Sequence, residues 1–107
     1  MEISQTNITR LILKRLRGAV SPTRVILFGS RARLDGDERS DYDLLVVCPF
    51  TGGRRAVMAA LSRALEGLGV AVDVIVLTPE EYELDKQIPG TVARPAWLEG
   101  VVLYDAA

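Results

Sequence analysis

The chain has 107 residues, with 13 Lys and Arg against 14 Asp and Glu, no histidine and a single cysteine. The length suits one domain, and the balanced charge supplies no overall field for nucleic acid or an anionic membrane, so any anion site must be local. Without histidine there is no Ser-His-Asp triad, HExxH zinc site or imidazole general base; a lone Cys48 excludes an internal disulfide and a multi-thiolate zinc centre, and fits a reducing cytoplasm.

The first twenty residues, "MEISQTNITRLILKRLRGAV", scatter charges through their apolar positions, so they read as neither a secretory leader nor a membrane span. A soluble, cytoplasmic protein is expected. Ile8, Leu11, Ile12, Leu16 and Ala19 recur at three- and four-residue steps, predicting an amphipathic helix over 6–18 that ends near Gly18 and cannot pass Ser21-Pro22. "TRVILFG" predicts a buried strand over 23–29, and "DYDLLVVC" a second over 43–48, with Cys48 as a small buried hydrophobe at its end. Val57, Leu61, Ala64, Leu65 and Leu68 place a helix over 54–67, between a Gly pair and Gly67 and Gly69. "VAVDVIVL" is a third strand over 71–77. Thr78-Pro79-Glu80-Glu81 is a helix start, with Thr as N-cap, Pro first and Glu three residues after the cap, and that helix runs through Lys86. "QIPGTVARPAWLEG" reads as Pro-broken, and "VVLYD" as a candidate last strand over 101–104. The expected fold class is α/β, a single domain over 1–107 with a small mixed β-sheet flanked by helices.

The segment between the first two strands carries the chemistry. Gly29-Ser30 sits where the first strand ends, and Gly permits the close turn and close backbone approach that an anion needs. Ser30 adds a hydroxyl donor, and Arg31 and Arg33 add guanidinium groups matched to phosphate oxygens, although each also reads as a solvated loop residue. Asp41 and Asp43 are two apart at the start of a strand, so both carboxylates project to one face, about 6 to 7 Å apart along the chain. Like charges that close favour a cation between them, and hard oxygen ligands without His or Cys suit Mg²⁺ or Mn²⁺. Asp73 interrupts an otherwise apolar strand. If that strand neighbours the second, three carboxylates share a face as in a two-metal site.

Gly29-Ser30, ten intervening residues, Asp41-Tyr42-Asp43 and the later Asp73 resemble the Gly-Ser-x10-Asp-x-Asp pattern of the DNA polymerase β-like nucleotidyltransferase superfamily. Within it, "GSRARLDGDERSDYDLLVV" is most similar to the minimal nucleotidyltransferase (MNT) domain proteins of prokaryotes, and the similarity extends over nearly the whole chain, to "LEGVVLYD". One departure is Leu34, where these proteins often have Gly. The resemblance implies a nucleotidyltransferase fold and the transfer of AMP from ATP, or of another nucleoside monophosphate from its triphosphate, to a hydroxyl with release of pyrophosphate. It implies that Ser30 and the backbone at Gly29 hold the triphosphate, that Arg31 and Arg33 contact phosphates, and that Asp41 and Asp43 bind two Mg²⁺ ions. Asp73 would complete the catalytic metal site and help deprotonate the acceptor. The implied partner is a HEPN-domain protein, with the chain as antitoxin adenylylating a tyrosine of a HEPN ribonuclease toxin in a hetero-oligomer. Two other readings stay open: a non-catalytic module that neutralises such a partner, and a nucleotidyltransferase for a small acceptor such as an aminoglycoside.

The last twenty residues carry Ile88, Val92, Trp97, Leu98, Val101, Val102 and Leu103, more apolar area than a short tail readily buries. They either close the core or dock a partner.

Overall fold

The computed structural model describes residues 5–34 and 40–106. Arg24–Phe28 forms the strand β1, whose three central residues are buried on both faces of the sheet. The segment Tyr42–Val47 forms β2, Val72–Leu77 β3 and Val101–Asp105 β4. They make one mixed sheet in the order β3-β2-β1-β4, with β2 and β3 parallel and the other pairs antiparallel.

Strand residues alternate between two faces, and each face meets different helices. Val25, Leu27, Leu44, Val46, Val74 and Val76 pack against Ile8, Ile12 and Leu16 of α1 (Gln5–Ala19) and Leu61 of α3 (Arg54–Ala64). Ile26, Leu45 and Val47 face Tyr82 of α4 (Pro79–Asp85) and Ala93 and Ala96 of α5 (Ala93–Glu99). The expected capping box starts α4: Thr78 accepts from the Glu81 N–H at 3.2 Å, and Glu81 accepts from the Thr78 N–H at 2.8 Å. Arg54 grips the same carboxylate at two points and, with the Thr78 N–H, holds Glu81 down to about 2, which ties α3 to α4. Cys48 is buried at the end of β2, as a small hydrophobe should be.

Three expectations shift. The helix α1 ends one residue past Gly18, near where it is expected to, but α3 stops at Ala64, short of Gly67 and Gly69, whose φ of 81° and 79° turn the chain instead. The segment read as Pro-broken contains α5: Pro95 falls in the first turn, where a backbone N–H has no intrahelical partner to lose. The last strand closes the sheet by pairing with β1, but Trp97 stays 43% exposed, beside Lys86 and Arg94 rather than in the core. No helix among the described residues is long and apolar enough to cross a membrane.

Candidate active site

At the end of β1 the chain turns sharply into the single-turn helix α2 (Ser30–Arg33). The turn is made by Gly29 with φ 76° and ψ −159°, a conformation almost restricted to glycine. The site demands glycine a second time, because a Cβ at residue 29 would collide with Oδ2 of Asp43. Leu34 closes α2 in the left-handed region with φ 61°, its side chain 80% exposed. This region of backbone favours glycine, and leucine adopts it at a cost of about 1–2 kcal/mol. The loop that follows, 35–39, lies outside the described residues.

The parallel pairing of β2 and β3 brings the aspartates together. Asp43 and Asp73 are direct register partners, so their side chains leave the same face of neighbouring strands about 4.8 Å apart. Asp43 also pairs with Phe28, one residue before the Gly29 turn. Asp41, two residues upstream, is exposed, as is Asp73, whereas Asp43 is partly buried. Burial raises the Asp43 carboxyl above its ordinary range, repulsion from Asp73 and then Asp41 raises it further, and Arg33 partly offsets both. The Asp43 carboxylate therefore feels the charge of both other aspartates at the start of β2 and β3.

They do not form a finished cage. Among the described residues no three carboxylate or thiol groups converge as a metal set, so the expected three-aspartate ligand group is assembled only as the Asp43–Asp73 pair with Asp41 nearby. The chemistry still fits a divalent cation: the donors are hard oxygens, and the negative charge they share is under-compensated.

The two arginines of α2 differ in their surroundings. Arg33 lies 3.7 Å from Glu99 at the end of α5 and acts on Asp43, so it stands at the mouth of the site. Arg31 is turned toward the segment entering β2, donating to the Ser40 carbonyl at 3.0 Å and covering the Tyr42 ring. Sequence reasoning missed Glu99, since nothing local marks a contact made only by docking α5. Tyr42 had a usable signal: it alternates in step with Leu44 and Val46, which puts its ring on the core face. A pocket of about 320 Å³ between Arg24, Val47, Tyr82 and Asp105 opens at the other end of the strands and is no part of this site.

Gly29→Ala should destabilise the fold by about 1–3 kcal/mol in urea titrations and displace the Asp43 carboxylate, with activity falling more than stability predicts. Parental stability and activity in that variant would show that the turn does not constrain the site.

Together, a paired carboxylate centre beside a glycine turn and a serine can hold a cation against an anionic substrate and take a proton from a hydroxyl. A model of the nucleotidyltransferase domain family matches residues 8–99, which include every residue of this site. Among solved structures, a protein of Sulfolobus solfataricus assigned as a nucleotidyltransferase is 28% identical, with a TM-score of 0.63 over 94% of this chain and 83% of that one. A toxin–antitoxin with AMP-PNP is 24% identical, with a TM-score of 0.59 over 91% of this chain and 73% of that one. A mutant of the toxin–antitoxin MntA–HpeT is 22% identical, with a TM-score of 0.57 over 91% and 72%. The likeness to these last two is one of fold. No curated protein matches the chain.

Proposed function

The chain belongs to the nucleotidyltransferase domain family, and on that premise we propose that it transfers AMP from ATP to a hydroxyl of a partner protein, acting as an antitoxin. The acceptor we favour is a tyrosine of a HEPN-domain toxin. The observation that carries the reaction is the pairing of Asp43 with Asp73 beside the Gly29 turn.

In this reading Asp41, Asp43 and Asp73 would hold the divalent cations, Mg²⁺ or Mn²⁺. When bound, these supply charge neutralisation on the triphosphate and lower the acceptor hydroxyl's pKa. Gly29 lets the chain approach the phosphates closely, Ser30 donates its hydroxyl to them, and Arg33 brings a cation to the mouth of the site. A helix of one turn adds little dipole, so side chains and local N–H groups must do this binding. The acceptor oxygen bonds to the α-phosphorus as the bond to the bridging oxygen breaks. Pyrophosphate leaves, and the acceptor proton passes to the Asp73 carboxylate.

Asp73 is exposed on the edge strand β3, which suits an acceptor delivered from outside. Leu98, 59% exposed and adjacent to Glu99, gives apolar surface close to Arg33 for a partner to cover. The toxin–antitoxin pairs of the same fold, one carrying AMP-PNP, support a nucleotide and a toxin as the ligands of this chain as well. The test is incubation with the product of the neighbouring gene, labelled ATP and Mg²⁺. Label on a partner tyrosine is expected; tight binding with no label under saturating ATP and Mg²⁺ would instead establish a non-catalytic neutralising module.

A further inference from the structure

One side chain is tied to both neighbours of Asp41. The Arg31 Nε donates to the carbonyl of Ser40 at 3.0 Å, and its guanidinium lies 4.4 Å from the centroid of the Tyr42 ring. Tyr42 is 2% exposed in the core, and its N–H donates to the Ala71 carbonyl at 2.9 Å, two residues before Asp73. Through this one arginine, α2 is joined to the entry of β2, and through Tyr42 to the entry of β3.

We infer that Arg31 is a positioning residue for the carboxylate centre, fixing Asp41 and Asp43 through Ser40 and Tyr42, while the phosphates fall to its neighbours. The inference rests on the reading of Asp41, Asp43 and Asp73 as metal carboxylates. Asp41 lies just before β2, where ladder hydrogen bonds do not yet hold the backbone. Anchoring residues 40 and 42 removes much of the backbone freedom that Asp41 would otherwise lose on binding a cation. The planar guanidinium suits the task because it can donate in its plane and stack through its face at once, which an ammonium cannot. Its contacts to this segment include a hydrogen bond and a ring contact, and Arg33 is, among the described residues, a cation that acts on the charge of Asp43.

The test is Mn²⁺ binding to the nucleotide-free protein, followed by the paramagnetic resonance signal of free Mn²⁺. Parent, Asp43→Asn, Arg31→Ala and Arg31→Lys are compared, with folding checked by circular dichroism. Asp43→Asn should lose most binding, and Arg31→Ala should bind about tenfold more weakly, as expected when a group that orients metal ligands is removed. Arg31→Lys should not restore affinity, and it carries the test should the alanine variant not fold. If Arg31 acted only through its charge, its loss would tighten Mn²⁺ binding and lysine would match the parent. If it bound phosphates alone, Mn²⁺ affinity would be unchanged. Either result overturns the inference while leaving the carboxylate centre intact. Equal Mn²⁺ binding by parent and Asp43→Asn would instead remove the carboxylate reading, and the role of Arg31 with it.

Discussion

Asp43→Asn is expected to abolish transfer and, in the absence of divalent cations, to make the protein more stable than the parent at neutral pH. The carboxyl of Asp43 is raised by its own burial and by the charges of Asp73 and Asp41. The folded protein therefore holds this proton more tightly than the unfolded chain does. As pH rises through the interval between the ordinary aspartate value and the raised folded one, the unfolded chain has released a proton that the folded chain retains. Stability consequently falls across that interval, and the penalty is complete above it. Asparagine carries no charge at any pH in this range, so the variant should lose that slope and gain on the order of 1 kcal/mol at neutral pH. Mg²⁺ should reverse the order, because it stabilises only a folded protein that binds it, and the parent alone retains the full carboxylate set. Transfer should fall by about a thousandfold, corresponding to roughly 4 kcal/mol of lost transition-state stabilisation. The measurement is urea unfolding across pH 3–8 with and without Mg²⁺, alongside nucleotide incorporation. A variant no more stable than the parent without metal, yet equally responsive to Mg²⁺, would place the cation elsewhere.

That trade of stability for function also explains which features were legible in the sequence. Asp43 stands out because it opens an apolar strand two residues after Asp41, and Asp73 because it interrupts one; an apolar strand tolerates a carboxylate poorly unless something answers its charge. Their adjacency follows once β2 and β3 pair in parallel, which the long helical connection between them favours. The periodic α1, the capping box of α4 and the buried Cys48 were readable from local pattern alone. Contacts made by docking one element on another were not. Pro95 concealed α5, so the approach of Glu99 to Arg33 could not be anticipated. The two arginines of α2 look equivalent in sequence, and only the chain path distinguishes one facing Ser40 and Tyr42 from one facing the aspartates. Leu34 is a further case: its residue type gives no local sign of the left-handed backbone that it adopts.

Asp73→Ala should separate partner recognition from chemistry. Asp73 is exposed on an edge strand, and it packs into neither cluster of buried side chains, so its truncation removes no core contact. It also relieves part of the repulsion on Asp43, which favours the fold. Partner affinity should therefore stay within about threefold of the parent, because a small rim substitution rarely costs as much as 1 kcal/mol at an interface. Transfer should nevertheless fall by about a thousandfold, since the variant loses both a cation ligand and the group that takes the acceptor proton. Both quantities are read on one sample, by pull-down of the neighbouring gene product and by incorporation of labelled AMP. Loss of both together would make Asp73 a contact residue, whereas transfer at the parental rate would remove it from the reaction. A small free alcohol modified efficiently without any partner would defeat the antitoxin reading while leaving the nucleotidyltransferase chemistry in place. The exposed edge position of Asp73 argues against that outcome: the acceptor must be held in line with the α-phosphorus, and a docked protein surface can supply the walls that an open strand edge lacks.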